Sequence, residues 1–112
     1  MRFMLLITDD GAELRAPAEI DAQPEFNAWL TEVEAHGARR VGTLLRPASE
    51  AVTVRVREGR TLTSDGPFAE TKEWVGGVEI VECADLATAV TIAERHPATG
   101  RFPIEVRQLE ED

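Results

Sequence analysis

Chemically versatile side chains concentrate in one stretch of this sequence, Thr63–Gly77, which reads TSDGPFAETKEWVGG. Asp65 and Glu70 could serve as acid or base, and Lys72 could bind an anion. A carboxylate acts as a base near pH 7 only when burial or like-charged neighbours raise its pKa, and the carboxylates here crowd one another. We therefore predict a ligand-binding site made of Asp65, Glu70, Lys72 and Trp74, with Asp65 and Glu70 as the catalytic candidates.

Other residues in the same stretch shape its backbone. Gly66 can adopt a positive φ, Pro67 fixes its own φ, and Phe68 can anchor the loop to the core. Gly76 and Gly77 allow a ligand or another backbone to approach the strand closely. We predict a structural role for these five residues. The alternative interpretation is that the whole stretch is a structural turn whose charges are only solvated.

The remaining reactive residue types predict no second site. The two histidines, His36 and His96, each lie at the end of a predicted helix, where we expect capping or solvent exposure rather than general-base catalysis. Cys83 ends a predicted strand and is expected to be a small core residue. No spacing of His, Cys, Asp or Glu is typical of a zinc site, and no glycine-rich phosphate loop occurs. We expect neither a metal nor a cofactor.

Composition argues against two classes of partner. The 112 residues include 21 acidic and 12 basic residues, which give a formal net charge of −9. So acidic a surface repels nucleic acid and anionic membranes, and the basic residues are scattered. No apolar run approaches the roughly 20 residues of a membrane-spanning helix. A single cysteine and a first apolar run too short for a signal peptide together predict a cytoplasmic location.

The first half of the chain predicts a strand, a helix, a strand and a hairpin. Phe3–Thr8 is a short apolar run, which predicts a strand buried on both faces. From Glu25 onwards the apolar residues fall on one helical stripe, which a glycine ends: Phe26, Trp29, Leu30, Val33 and then Gly37. A strand over Arg40–Arg46 follows. The alternation of Val52–Arg57, the turn Glu58-Gly59 and the segment Arg60–Thr63 predict a β-hairpin.

The second half predicts a strand, a helix and a strand. Val75–Cys83 is the strand, and Asp85 is a plausible N-cap for the helix. The apolar stripe of that helix is predicted to be Leu86, Ala89, Val90 and Ala93, and Pro97 ends it. Ile104 and Val106 alternate with charged residues in the last strand.

Without the hairpin, this order is βαββαβ, which predicts a ferredoxin-like α+β fold as a single domain over residues 1–112. Both helices would cover one face of an antiparallel sheet and leave the other face bare. We expect that bare face to be buried against a second copy in a homodimer. Only 5% of residues are aromatic, so the interface should be aliphatic.

The central stretch also resembles a known family. Asp65-Gly66-Pro67-Phe68, then Ala69–Glu73 and Gly76-Gly77, is similar to the signature of the DGPF-type YCII-related proteins. The resemblance extends to the start, Arg2–Ile7, and to the ending, Ile104–Arg107. It implies a ferredoxin-like fold that forms a dimeric α/β barrel, a bacterial source, and genomic association with extracytoplasmic-function sigma factors. Some members of the wider group carry a histidine in the first helix near an aspartate, whereas Glu25–Leu30 of this chain contains no histidine.

Two functions follow from these patterns. In the first, the chain binds a small ligand, with anionic ligands favoured by Lys72, in a cleft rimmed by Asp65–Trp74. In the second, it is a non-catalytic dimeric interaction or regulatory protein linked to sigma factors, and this alternative rests on the resemblance alone. Whether catalysis accompanies binding is left open by the sequence.

Overall fold

A computed structural model describes residues 1–9, 23–66 and 74–111 of the chain. Its strands and α-helices, numbered in chain order, are β1 (Arg2–Asp9), α1 (Pro24–His36), β2 (Gly37–Leu44), β3 (Val52–Arg57), β4 (Arg60–Asp65), β5 (Trp74–Cys83), α2 (Leu86–Glu94) and β6 (Ile104–Gln108). Short 3₁₀ helices cover Ala48–Glu50 and Pro97–Gly100.

Four strands form one antiparallel sheet in the order β2-β5-β1-β6. Within the residues that the structure describes, β3 pairs only with β4. With two helices between the strands, this is the ferredoxin-like arrangement with an inserted hairpin, so the fold prediction is confirmed. The hairpin turn contains Glu58 at φ 51° and Gly59 at φ 74°. Two successive positive φ values match the right-handed twist of paired strands, which explains why Glu58-Gly59 closes so tight a turn.

The core lies between the sheet and the two helices. The stripe predicted for α1 is confirmed, since Phe26, Trp29 and Val33 are buried and Leu30 packs against them. The prediction that Cys83 is a small core residue is also confirmed, because it is 7% exposed. Asp85 caps α2 as predicted, with its carboxylate accepting a 2.8 Å hydrogen bond from the backbone N–H of Thr88.

The stripe predicted for α2 is only half right. Ala89 and Ala93 are buried, but Leu86 and Val90 are 53% and 48% exposed, and Ile92 takes the remaining core position. Apolar residues occur nearly all round this helix, so its periodicity does not specify the buried face. The tertiary contact that does so includes a 2.8 Å hydrogen bond from the Trp29 indole N–H to the carbonyl of Ile92.

The first two strands in chain order differ from the sequence prediction, β1 in its burial and β2 in its bounds. Phe3 and Leu5 are fully buried, whereas Met4 and Leu6 on the opposite face are half-buried, because both helices lie on one side of the sheet. Burial of β1 on both faces is therefore wrong for the single chain. The second strand begins at Gly37, directly after α1, and ends before Arg46 because Pro47 and a 3₁₀ turn follow.

Candidate functional site

The structure describes two of the four predicted ligand-binding residues. Asp65 is the last residue of β4 and is exposed, and Trp74 is the first residue of β5, where its backbone pairs with Asp9. The other two, Glu70 and Lys72, lie outside the described residues. So do Pro67 and Phe68 of the structural motif.

Gly66 adopts the positive φ that the sequence predicts, at 95°. Its N–H donates a 2.7 Å hydrogen bond to the carbonyl of Ala51, and its carbonyl accepts one of 2.8 Å from the Thr53 hydroxyl. These two bonds fasten the end of β4 to the beginning of β3. The segment that follows Gly66 therefore starts from a fixed point at the base of the hairpin.

At the other end of that segment, Gly76 provides space for the carboxylate of Asp9. The β1–β5 register shifts between Ile7 and Thr8, which leaves an irregularity at this end of the sheet. A Cβ atom at position 76 would overlap the Asp9 carboxylate, so only glycine fits there without displacing it. The group that approaches the strand at Gly76 is thus a side chain of the chain itself, whereas the sequence prediction was of a ligand or another backbone.

Gly77 differs from its neighbour. A Cβ there would meet Ile7 and Leu44 at an ordinary 3.7 Å, so its backbone needs no special space. Gly77 is buried and, by its pairing with Ile7 and Leu44, lies on the helix side of the sheet. Because Gly77 has no side chain, the sheet surface between the side chains of Ile7 and Leu44 forms a shallow depression beside Asp9.

Further along the same sheet face, Arg39 and Glu79 form a bidentate ion pair. The guanidinium donates hydrogen bonds of 2.7 and 2.9 Å to the two oxygens of the Glu79 carboxylate, which is only 4% exposed. The guanidinium also lies 5.5 Å from the ring centroid of Phe26. Gly42 makes room for the pair, because a Cβ at that position would overlap both charged groups.

His96 packs beside this pair, and its burial corrects the sequence prediction. The residue is 9% exposed, and its ring centroid is 4.6 Å from that of Trp29 in an edge-to-face arrangement. It does cap a helix, because Nδ1 accepts a 3.0 Å hydrogen bond from the N–H of Ala98 in the second 3₁₀ helix. Burial, and secondarily the nearby Arg39 charge, lower the pKa of His96 to about 4.

His36, by contrast, is exposed as expected. It lies in the last turn of α1, with Nδ1 3.6 Å from a carboxylate oxygen of Glu32. The two histidines therefore have opposite environments, although both stand at helix ends in the sequence.

Sequence reasoning missed Asp9, Arg39, Glu79 and His96 as a set of polar groups facing the helices. One signal for Glu79 was present: it shares the period-2 face of Val81 and Cys83, so a buried strand face carried a carboxylate. A carboxylate there requires a cation nearby, since an unpaired buried charge is very costly. Nothing in the spacing identified Arg39 as that cation rather than Arg40.

Within residues 1–9, 23–66 and 74–111, no three His, Cys, Asp or Glu side chains come together in a way that could hold a metal ion. Among the same residues, no helix is long and apolar enough to cross a membrane.

Comparison with known proteins identifies the family. The model of the YCII-related domain matches residues 1–111. The chain belongs to the YCII-related family. The uncharacterized protein R00369 of Rhizobium meliloti (strain 1021) is 40% identical over 78 residues, which cover 64% of this YCII-related chain and 61% of that relative. The match thus spans about three fifths of the relative's length.

Family membership gives His96 a context. In this YCII-related chain the buried stripe of α1 carries no histidine, yet the ring of His96 reaches α1 from the far end of the sequence and packs against Trp29 and Phe26. With a lowered pKa, its imidazole is neutral at pH 7, and Nδ1 is the acceptor nitrogen.

Proposed function

We propose that this chain binds a small ligand at the end of the sheet where Asp9 lies over Gly76, in a cleft rimmed by Asp65–Trp74. The observation that carries the proposal is the space left by Gly76, which holds the half-buried carboxylate of Asp9 beside the shallow depression at Gly77. A carboxylate has about four acceptor sites, so it can bind donors of the protein and of a ligand together. The ligand is a small molecule with a hydroxyl or amino group for Asp9 and an anionic group for Lys72.

The two residues that bound the segment containing Lys72, Gly66 and Trp74, are both fixed by hydrogen bonds or strand pairing, which supports the role of Lys72. The segment leaves the hairpin base at Gly66, which two hydrogen bonds hold, and returns at Trp74, whose backbone pairs with Asp9. Lys72 precedes Trp74 by two residues, and covalent connectivity alone keeps their Cα atoms within about 7 Å of each other. It is also the single lysine of the sequence, which makes it simple to test.

Lys72→Ala is expected to abolish most of the anion binding while leaving the melting temperature nearly unchanged. A hydrogen bond to a charged group contributes about 1.5–3 kcal/mol, so the dissociation constant should rise roughly 10- to 100-fold. A thermal-shift screen of small hydroxy and amino acids, followed by calorimetric titration of a hit, measures this. Asp9→Asn should weaken the same hit, because a carboxylate is the stronger acceptor for a charged or polar donor.

Arg57→Ala is the control, since it removes a cation near the tip of the hairpin, away from the proposed cleft. Equal weakening in Lys72→Ala and Arg57→Ala would point to nonspecific electrostatics and against the site. If Lys72→Ala unfolds the protein, then Lys72 belongs to a structural ion pair and the binding assignment is wrong.

A second function, that of a dimeric interaction protein, is favoured by the uncovered face of the sheet. On that face Val41, Leu45 and Val75 are 47%, 44% and 38% exposed. Half-buried apolar side chains on β1 and β5 connect them, namely Met4, Leu6, Val78 and Ile80. Charged residues lie towards the border, with Arg40 hydrogen-bonded to Glu82 at 2.7 Å. An apolar centre with a polar rim is typical of a subunit interface.

We accordingly propose a homodimer across this face, with the resemblance to dimeric α/β barrels in agreement. Val41→Asp should convert the dimer into a monomer, because it places an unpaired charge among the apolar side chains of the interface. Light scattering after size exclusion measures the mass. Val90→Asp is a matched control, since Val90 is a valine of nearly equal exposure, 48%, on α2 on the other side of the sheet. A wild-type protein that is monomeric at all concentrations would contradict the proposal.

A further inference from the structure

The β3–β4 hairpin has two chemically different faces. Residues directly opposite each other in the ladder share a face, so Val52, Val54 and Val56 stand with Asp65, Thr63 and Thr61. The three valines are 60%, 60% and 66% exposed. The other face carries Thr53, Arg55, Arg57, Arg60, Leu62 and Ser64. We call the first set the valine face.

The hairpin is attached to the rest of the described chain mainly at its base. The bonds of Gly66 to Ala51 and Thr53 close that base, and neither strand joins the four-stranded sheet. An isolated two-stranded hairpin is at best marginally stable in water. Burial of the valine face against another surface would therefore stabilise the hairpin more than burial of a similar set of side chains would stabilise the four-stranded sheet.

We propose that this hairpin is a dimerisation arm whose valine face packs on a second copy of the chain. The inference rests on the homodimer proposed above and names the part of each copy that completes its interface. In a two-fold dimer the same surface is used by both copies, so the two arms engage symmetrically.

The area of the uncovered sheet face supports a second copy as the occupant. Four strands about 4.8 Å apart and about eight residues long at 3.4 Å each present roughly 500 Å². Stable specific interfaces bury about 800 Å² on each partner. Six-residue strands give the arm a face of roughly 200 Å², which brings each copy close to the required area.

Charge also favours another copy of this acidic chain as the partner. The hairpin holds three arginines against Glu58 and Asp65, a net charge of +1, so the remainder of the −9 chain carries −10. Arg57 and Arg60 lie directly opposite each other in the ladder, and two like charges in such a pair destabilise the hairpin. Neither arginine forms an ion pair with any described residue. A locally cationic arm is attracted to an acidic body, which steers the encounter of two copies.

The test replaces all three valines by threonine, as Val52→Thr, Val54→Thr and Val56→Thr in one protein. Threonine is also β-branched and nearly the same size, so it keeps strand propensity while adding hydroxyls to the packed face. The dimer dissociation constant, from sedimentation equilibrium, should rise at least tenfold. Leu62→Thr is the matched control on the opposite face, where the side chain is 49% exposed, and should change the constant by less than twofold.

The outcomes separate the arm from the dimer. If the wild type is monomeric, the homodimer proposal is wrong and the proposed dimerisation arm is wrong with it. If the wild type is dimeric and Val41→Asp dissociates it, but the triple threonine variant dimerises as tightly as the wild type, the dimer stands and the arm is wrong. Equal weakening by the triple variant and by Leu62→Thr also overturns the arm.

Discussion

Arg39→Met is expected to lower the free energy of unfolding by about 3–5 kcal/mol, the usual cost of removing one partner of a buried ion pair. Glu79 is only 4% exposed, and the variant removes the two hydrogen bonds that now compensate the burial of its carboxylate. It also removes the cation that lies against Phe26. Urea unfolding monitored by tryptophan fluorescence and by circular dichroism measures the change.

The neighbouring residue provides the control. Arg40 also pairs with a carboxylate, that of Glu82, but on an exposed part of the sheet, so Arg40→Met should change stability little. The double variant Arg39→Met with Glu79→Leu should recover much of the loss, because an apolar pair needs no compensation for desolvation. Equal costs for Arg39→Met and Arg40→Met would show that burial does not set the energetics of the pair.

Acid is expected to destabilise the fold through His96. Its pKa is about 4 in the folded protein and has an ordinary value of 6.5 in the unfolded chain, so the unfolded chain takes up a proton first as the pH falls. The stabilising contribution is therefore complete above pH 6.5 and is lost progressively between pH 6.5 and about 4. The shift corresponds to roughly 3 kcal/mol over that range.

The comparison that isolates His96 uses His96→Asn, since an asparagine oxygen can still accept from the N–H of Ala98. Between pH 7 and pH 4.5 this variant should lose less unfolding free energy than the wild type, whereas His36→Gln, at an exposed site, should lose as much as the wild type. The titration of the imidazole by NMR gives a direct value. A His96 that titrates near 6.5 would contradict the prediction, since the ring would then be well solvated in the folded protein.

Local patterns in the sequence sufficed for the element order and for several single-residue features. The hairpin turn at Glu58-Gly59 and the N-cap at Asp85 each depend on interactions within a few residues, and the positive φ of Gly66 uses the conformational freedom of glycine itself. The stripe of α1 was also correct, because its polar residues restrict the apolar positions to one face. Such features are specified locally, and the tertiary structure only had to accommodate them.

The sequence by itself thus determined that the chain is a βαββαβ domain with an inserted hairpin and that Gly66 and Gly76 mark places of special backbone or close approach. Only the tertiary structure decided that Asp9 occupies the space over Gly76, that Arg39 rather than Arg40 neutralises Glu79, and that His96 is buried against Trp29. The physical reason is sequence separation. Asp9 and Gly76 meet across β1 and β5, Arg39 and Glu79 meet across β2 and β5, and Trp29 of α1 meets His96 from the turn after α2. The energy of each pair therefore depends on burial and geometry that no local pattern encodes.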